Sequence, residues 1–303
     1  MLGGPRYGAH PFIFGLSDTS AVNRMKITNR QIEGAIAAMC HAGRILLEGQ
    51  PHVPWKLKQD GTFVTGLDLQ IEKLLESELR RIFPGCEFVG EENAQSWPRA
   101  FIPQSRIVLD PIDGTGPFAR GLNYFGISLA VVDEQHQPRL AIIHLPGLRR
   151  WEVASFEGRQ PARYQVAAEG DSPRVSKVET APSVRVDWRL EDSYTYIGSD
   201  AHQRLDMTAF AGKTRALGAS AAHLVLLTDG TLDPAAVILT RYKVWDVAAG
   251  LALANAAGLE IRNLANGATI SPEEMFAEAP PVLMVGHQEV LRVLANRVRV
   301  RGG

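Results

Sequence analysis

Short apolar runs bounded by turn residues fill the middle of this sequence, and they constrain its fold more than any other feature. Runs of this length and composition are typical of β-strands. We therefore predict strands of one sheet in four places: Arg106–Leu109, Phe125–Val132, Leu140–Leu145 and Trp151–Ala154. Because apolar strands must be covered, the helices predicted elsewhere in the chain are expected to form layers on the sheet.

Two helices are predicted ahead of these strands. Thr28 to Gln31 has the capping-box pattern, in which a hydroxyl residue is followed three positions later by Gln, and apolar residues then recur on one helical face. A second helix is predicted from near Asp68, with Pro84-Gly85 ending it. Between the two helices, Lys58–Thr62 contains Asp-Gly, which predicts a hairpin.

The remainder of the chain predicts further strands and helices. From Ser155 to Glu191 the sequence is richer in Gly, Pro, Arg and Glu, and we expect loops and edge strands of a second lobe there, with a boundary near Pro146–Arg150. Further along, the pattern predicts strand Ser193–Gly198, helices Ala219–Leu227 and Val247–Ala257, strands Leu259–Leu264 and Pro281–Gly286, and a helix from Gln288. The predicted fold class is α/β with two lobes, as expected for 303 residues.

Charge and cysteine content exclude several classes of function. The net charge is −1, so the chain has no global basic field and we do not expect nucleic acid as a partner. Cys40 and Cys86 form neither a disulfide framework nor a metal-ligand spacing, which is typical of buried thiols in a reducing compartment. The first fifteen residues contain no secretory apolar run, and Ala216–Thr228 is shorter than the roughly 20 residues that span a bilayer. We expect a soluble, cytoplasmic protein with no membrane partner.

Acidic residues are concentrated in three short segments whose composition suits a hard cation. They are Val89–Asn93 with Glu91 and Glu92, Leu109–Gly116 with Asp110 and Asp113, and Val244–Gly250 with Asp246 at the predicted N-cap of a helix. Mg²⁺ is bound through a few carboxylates, while water and substrate phosphate complete its shell. Each segment alone is more often a solvated face, a turn or a simple helix cap. Together, with Asp68 ahead of them, they form a specific pattern.

The residues between and after the paired aspartates suit a phosphate beside a metal. Pro111 fixes the backbone, so that the carbonyl of Ile112 can be presented as a neutral oxygen ligand. Gly114 allows a tight turn, and the amides after it open toward a phosphate at a helix N-terminus. The hydroxyl of Thr115 could orient a metal-bound water.

These motifs resemble those of the inositol monophosphatase superfamily of lithium-sensitive, Mg²⁺-dependent phosphomonoesterases. The matching segments are Val64-Thr65-Gly66-Leu67-Asp68, Gly90-Glu91-Glu92, Asp110-Pro111-Ile112-Asp113-Gly114-Thr115 and Trp245-Asp246-Val247-Ala248-Ala249, and the resemblance covers about residues 28–300. It implies a layered α+β sugar-phosphatase fold, with alternating helix and sheet layers and the active site between two lobes. The implied division is an N-terminal extension at 1–26, a lobe at 27–148 with most of the metal ligands, and a lobe at 149–303 with Asp246 and the substrate pocket.

The resemblance also implies a role for each matching residue. Two or three Mg²⁺ ions would be held by Glu91, Asp110, Asp113, Asp246 and the carbonyl of Ile112, with Asp110 bridging two of them. Glu91 and Thr115 would position and activate the attacking water, and Asp68 would orient Thr115. Phosphate and substrate would contact the amides of Gly114, Thr115 and Gly116 and the small residues Gly218, Ala219 and Ser220. A small phosphorylated metabolite is the implied substrate, and a homodimer is the implied assembly.

Two departures from the family pattern bear on the phosphate and the substrate. Gly116-Pro117-Phe118 follows Asp-Gly-Thr, but a proline in a first helical turn lacks only an expendable donor. Inositol-specific members carry a glutamate shortly before Trp-Asp, whereas no carboxylate lies between Asp233 and Asp246 here. Arg241 and Lys243 occupy this stretch, either as solvated loop charges or as a pocket rim that favours an anionic substrate.

The expected activity is hydrolysis of a phosphate monoester by metal-activated water. The candidate substrates are inositol phosphate or another sugar phosphate, 3′-phosphoadenosine 5′-phosphate, and histidinol phosphate. A different class of function is a catalytically silent relative that binds metal and a phosphorylated ligand. The presence of Glu91, Thr115 and three aspartates together favours an enzyme.

Overall fold

The computed structural model describes residues 25–50, 53–58, 61, 63–92, 104–157, 161–169, 172–178, 193–228, 234–270, 274 and 280–301. The extension predicted at 1–26 lies outside the described residues, apart from Met25 and Lys26. None of the helices in these ranges combines the length and the apolar composition that crossing a membrane requires.

The first helix begins with the cap that its sequence specifies. Helix α1 (Asn29–Gly49) follows Thr28, whose hydroxyl accepts a hydrogen bond from the Gln31 amide (3.3 Å). In return, the Gln31 side chain accepts from the Thr28 amide (2.9 Å). Both bonds satisfy amides that a helix start leaves without an intrahelical partner, which confirms the predicted capping box.

The predicted hairpin and second helix are also confirmed. Strands β1 (Trp55–Leu57) and β2 (Phe63–Thr65) pair antiparallel, and helix α2 (Gly66–Ile82) follows directly. The side chain of Thr65 caps α2. The start of α2 therefore lies directly beside the hairpin.

A seven-stranded sheet covers α1 and α2, and among the described residues its strands follow one another in chain order. They are β3 (Glu87–Gly90), β4 (Arg106–Asp113), β5 (Gly126–Val132), β6 (Pro138–Leu145), β7 (Arg150–Ser155), β8 (Ala162–Glu169) and β9 (Ser172–Val178). Strand β3 runs parallel to β4, and each later pair is antiparallel. The four strands predicted to share one sheet therefore do so.

Strands β8 and β9 correct the expectation that the stretch after Ser155 belongs to a second lobe. They pair with β7 and with each other, so they lengthen the first sheet. Pairing of this kind satisfies backbone groups that would otherwise lie open along the edge of β7. The change from the first sheet to the second falls between Val178 and Tyr194. The lobe division at residue 148 stays a prediction.

The last third of the chain forms a second sheet with its own helices. The remaining strands are β10 (Tyr194–Ile197), β11 (Leu205–Asp206), β12 (Lys213–Arg215), β13 (Pro234–Leu239), β14 (Glu260–Asn263), β15 (Leu283–Gly286) and β16 (Arg299–Val300). The remaining helices are α3 (Thr115–Ala119), α4 (Ala201–Arg204), α5 (Ser220–Thr228), α6 (Val244–Ala256) and α7 (Gln288–Arg297). Five strands pair in the order β12-β10-β13-β15-β14, and β11 pairs with β16. Strands β12 and β13 are absent from the predictions, whereas β10, β14 and β15 are confirmed.

The elements stack as alternating helix and sheet layers, as predicted. Helices α1 and α2 pack on one face of the first sheet, and α5 and α6 pack on its other face. The same two helices also contact the second sheet, whose outer face is covered by α7. Because α5 and α6 are covered on both sides, they are apolar nearly all round. Their N-termini are the parts of this layer that reach the acidic segments.

Candidate functional site

Asp110 and Asp113 lie at the end of β4 on one face of the sheet, although their spacing alone would separate them. Successive side chains of a strand alternate between faces, so residues three apart normally diverge. The ladder between β4 and β5 contains a bulge here, because Asp110 pairs with Ser128 and Asp113 with Gly126, which leaves one extra residue in β4. The extra residue reverses the alternation at Pro111, a residue type that strands accommodate at bulges.

The packing of the neighbouring apolar residues reflects the same reversal. Leu109 and Ile112 both belong to the core cluster beneath α1 and α2, which regular alternation would not permit. The amide of Ile112 donates to Asp110 Oδ1 (3.0 Å) and fixes this carboxylate against its own turn. The bulge therefore turns both carboxylates toward the layer of α5 and α6.

Asp246 reaches the same point from α6. One carboxylate oxygen from each of Asp110, Asp113 and Asp246 lies within 4.8 Å of the other two. The predicted N-cap position of Asp246 is wrong: Lys243 is the N-cap, and Asp246 Oδ2 accepts a hydrogen bond from the Lys243 amide (2.7 Å). From the third helical position a carboxylate can reach back to that amide, and this bond holds it at the helix N-terminus.

The first turn of α5 anchors Asp113. The amides of Ser220 (3.2 Å to Oδ1) and Ala221 donate to its two carboxylate oxygens. A negative charge is favourable at a helix N-terminus, where amides lack intrahelical partners. The sequence predicts that Ser220 contacts the substrate, whereas its amide here bonds to Asp113. Ala219, in the same predicted loop, is buried.

Burial and like charges disfavour ionisation of these three carboxyl groups. Burial raises the pKa of Asp110 well above its usual range, and the charge of Glu91 is the next largest cause. Burial and the charge of Asp246 raise the pKa of Asp113 in the same way. Burial also raises the pKa of Asp246, to about 7. Close, buried, oxygen-only donors that repel one another suit a hard dication, so this donor set fits Mg²⁺.

Asp68 and Thr115 join α2 to the end of β4. Thr115 Oγ1 lies 3.1 Å from Asp68 Oδ1 and 3.0 Å from the carbonyl oxygen of Ile112. The other oxygen of Asp68 accepts from the amide (2.7 Å) and the hydroxyl (2.6 Å) of Thr65. Burial raises the pKa of Asp68. Since a hydroxyl has one proton, Thr115 donates it either to Asp68 or to Ile112.

Gly114 forms the corner between β4 and α3. Its φ of +87° lies in the left-handed region, which glycine adopts without strain. An added Cβ would also lie 2.7 Å from the Cβ of Ala219 and 2.9 Å from the carbonyl oxygen of Tyr124. A Cβ at Gly218 would likewise lie 2.8 Å from the ring of Pro117. The predicted phosphate segment and the predicted substrate loop are therefore in close contact.

Lys58 is a residue of the site that the sequence analysis missed. Its ammonium group donates to Glu91 Oε1 (2.8 Å) and to Glu92 Oε1 (2.6 Å). Burial lowers the pKa of Lys58, but the charges of Glu91 and Glu92 and their hydrogen bonds raise it by more, so the pKa lies above its usual value. In the sequence, Lys58 stands out only as part of the predicted hairpin segment Lys58–Thr62. Its partners are distant in sequence, so no local signal marks the lysine.

Arg241 and Lys243 lie exposed in the loop between β13 and α6. The positive charge of Lys243 lowers the pKa of Asp246, which opposes the larger effect of burial. Lys243 is therefore close enough to Asp246 to affect its pKa, and both cations lie on the exposed loop that leads into α6.

The comparisons with known proteins agree with this geometry. The model of the inositol monophosphatase family matches residues 29–297. A fructose-1,6-bisphosphatase/inositol-1-monophosphatase of Thermotoga maritima is 26% identical over 241 residues, which cover 79% of this chain and 85% of the relative. A 3′(2′),5′-bisphosphate nucleotidase of Salmonella typhimurium is 26% identical over 239 residues, which cover 76% of this chain and 88% of that relative.

Among solved structures, a Staphylococcal inositol monophosphatase-1 aligns with a TM-score of 0.69 at 20% identity, over 92% of this chain and 98% of that one. The chain that carries this bulged, carboxylate-lined strand end thus belongs to the inositol monophosphatase family and is a phosphatase.

Proposed function

We propose that this chain hydrolyses a phosphate monoester of a small metabolite with the help of Mg²⁺. The observation that carries the proposal is the convergence of Asp110, Asp113 and Asp246 on one point beside the Thr115–Asp68 pair. These three aspartates, with Glu91 and the carbonyl of Ile112, would hold two or three ions. When bound, Mg²⁺ lowers the pKa of a coordinated water and neutralises phosphate charge.

The side chains around Thr115 orient the attacking water. When Thr115 donates its single proton to Asp68, its oxygen keeps lone pairs that can accept a hydrogen bond from that water. The carboxylate of Glu91 would take part in positioning and activating the same water. Lys58 lies against Glu91, and its ammonium group donates a hydrogen bond to Glu91 Oε1 (2.8 Å).

The corner at Gly114 would hold the phosphate group. The amides of Gly114, Thr115 and Gly116 stand at the start of α3, where amides have no intrahelical partner and can donate to phosphate oxygens. Pro117 follows in the same first turn, where its missing donor removes nothing that the helix needs. Gly218 and Ala219 pack against this corner, which restricts its position.

The finer proposal concerns the substrate, which we infer to carry a second anionic group. No carboxylate lies between Asp233 and Asp246 in the sequence to accept hydrogen bonds from a polyol, and Arg241 and Lys243 are exposed in the loop that leads into α6. A relative that acts on 3′(2′),5′-bisphosphate nucleotides shows that a second phosphate occurs among substrates of similar chains. The alternatives are inositol or another sugar phosphate, and histidinol phosphate.

The substrate proposal predicts a higher kcat/KM for 3′-phosphoadenosine 5′-phosphate than for inositol 1-phosphate. Arg241→Ala/Lys243→Ala should lower kcat/KM for 3′-phosphoadenosine 5′-phosphate on the order of ten- to a hundred-fold, as expected for the loss of charge-assisted contacts. It should leave kcat/KM for inositol 1-phosphate nearly unchanged. Phosphate release measured on both substrates checks this. The control is Arg292→Ala/Arg297→Ala on α7, which removes the same charge from the outer helix layer. If inositol 1-phosphate is preferred and the double variant changes neither value, the substrate proposal is wrong.

Lithium should inhibit phosphate release at millimolar concentration, by occupying the position framed by Asp110, Asp113 and Asp246. The Staphylococcal relative forms an inhibitory complex in 100 mM LiCl, which supports the expectation. A titration with LiCl at fixed Mg²⁺ measures it, and NaCl at equal ionic strength is the control. Unchanged activity well above ~10 mM lithium would show that the geometry around these aspartates differs in the working enzyme.

A further inference from the structure

Glu72 is a fully buried carboxylate in α2, one helical turn after Asp68. Its Oε2 accepts a hydrogen bond from the amide of Glu92 (2.8 Å). A buried carboxyl group is seldom without a hydrogen-bond partner, and the hydrogen bond also restricts the position of that partner. Glu72 therefore fixes the backbone of the turn formed by residues 90–92 from behind.

Gly90 touches the same carboxyl group. A Cβ at this position would lie 2.5 Å from the Cδ of Glu72 and 2.9 Å from the ring of Phe88. Side chains do not approach one another so closely in a packed interior. The glycine of the Gly-Glu-Glu motif leaves room for the carboxyl group of Glu72, which a side chain at this position would have to displace from its hydrogen bond.

The opposite side of the turn is fixed by the first sheet. The amide of Glu91 donates to the carbonyl oxygen of Leu109 (3.2 Å), which extends the pairing of β3 with β4 by one residue. Glu91 is thus held between β4 on one side and α2 on the other. Its carboxylate stands beside Asp110, whose pKa its charge raises.

We propose that Glu72 is a positioning residue for the metal centre, holding residues 90–92 so that the carboxylate of Glu91 faces Asp110. Glu72 acts through Glu91 and touches neither substrate nor reacting atoms. The inference rests on the proposed function only in taking Glu91 as a metal ligand. Glu72 lies outside the Gly-Glu-Glu motif, and its carboxyl group explains why the first residue of that motif is a glycine.

The test is a double-mutant cycle on Glu72→Ala and Gly90→Ala, with Mg²⁺ binding followed by calorimetry and the unfolding midpoint Tm followed in parallel. Glu72→Ala should weaken Mg²⁺ binding about tenfold, since the amide of Glu92 loses its acceptor. Gly90→Ala alone should weaken it at least as much and lower Tm on the order of 5 °C through overpacking. In the Glu72→Ala background, Gly90→Ala should add less to either loss than it causes alone, because the clash with the carboxyl group is gone and only the ring of Phe88 stays close (2.9 Å).

Two further variants separate positioning from general loss of structure. Glu72→Gln keeps the shape and an acceptor oxygen, so it should bind Mg²⁺ within about threefold of the wild type. Gly66→Ala is the control glycine in α2, because an added Cβ there meets nothing within 4 Å, and it should change neither Mg²⁺ binding nor Tm.

The outcomes distinguish this inference from the proposed function. Additive losses in the cycle, or a Glu72→Ala variant with wild-type Mg²⁺ affinity, would overturn the role of Glu72 even if the enzyme releases phosphate normally. A wild type that binds Mg²⁺ but releases no phosphate would overturn the proposed function, while a non-additive cycle would still support the positioning role. A wild type that binds no Mg²⁺ overturns both.

Discussion

Asp110→Asn is expected to lower kcat/KM at least ~10³-fold, because single electrostatic donors in other active sites are worth roughly 10²–10³ and this carboxylate would contact two ions. Asparagine keeps the size of the side chain and removes its charge, so the variant tests charge rather than packing. Phosphate release under saturating Mg²⁺ is the measurement. Retention of more than a tenth of the wild-type value would contradict the proposed assignment.

Asp206→Asn is the matched control for this variant. Asp206 accepts hydrogen bonds from the amide (3.1 Å) and the hydroxyl (2.7 Å) of Thr208, and an asparagine oxygen can accept both. Its activity should therefore equal that of the wild type. Without metal, Asp110→Asn should be at least as stable as the wild type, since it removes one of several buried groups of like charge. A lower Tm for Asp110→Asn under these conditions would mean that lost activity reflects damaged folding.

Removal of divalent cations is expected to abolish phosphate release, again by at least ~10³-fold, and millimolar Mg²⁺ should restore it. The physical reason is that Asp110, Asp113 and Asp246 repel one another and cannot supply a nucleophile by themselves. Mg²⁺ should also raise Tm, since a ligand at a hundred times its Kd stabilises the folded state by about 2.7 kcal/mol. Dialysis against a chelator, followed by titration with MgCl₂, measures both effects.

The Asp110→Asn variant is the control for the Tm measurement, because it should show a much smaller shift with Mg²⁺. A rise in Tm with Mg²⁺ but no phosphate release from any of the candidate substrates would favour the alternative class, a silent relative that binds metal and a phosphorylated ligand. Activity that persists in excess chelator would contradict metal dependence.

The start of α1 could be predicted because its information is local. The capping box of Thr28 and Gln31, and the apolar spacing after it, lie within a few residues of one another. The strands from Arg106 onward could be predicted for the same reason, since each is a continuous buried run. Family motifs then placed the acidic residues, and the structure brings three of the aspartates together.

What could not be predicted depends on residues far apart in the chain. Strands β8 and β9 carry alternating polar residues, and the composition of this stretch indicated loops and edge strands of a second lobe. Only the pairing with β7 shows that both strands extend the first sheet. Lys58 follows β1 and contacts Glu91 and Glu92, which follow β3. Glu72 lies in α2 and accepts a hydrogen bond from the amide of Glu92. Long-range contacts of this kind leave no periodic signal in the sequence.

The N-cap error at Asp246 has a different origin. An aspartate just before an apolar helix is a common N-cap, so the pattern favoured that position. The helix starts three residues earlier than predicted, at Val244, because Asp246 accepts a hydrogen bond from the amide of Lys243. This bond makes Lys243 the N-cap and places Asp246 in the first helical turn. The same carboxylate thus both starts the helix and faces the site.

The bulge in β4 makes the number of residues between Asp110 and Asp113 a constraint in its own right. A substitution within this stretch changes local contacts, whereas the loss of one residue would remove the bulge and make Asp110 and Asp113 alternate residues of a regular strand, which still share a face. The kink would be lost instead, and with it the backbone arrangement in which the amide of Ile112 bonds to Asp110 and the carbonyl of Ile112 lies against Thr115. The bulge therefore serves the backbone of this strand end, and a one-residue deletion is expected to displace the carbonyl of Ile112 while the two aspartates keep a common face.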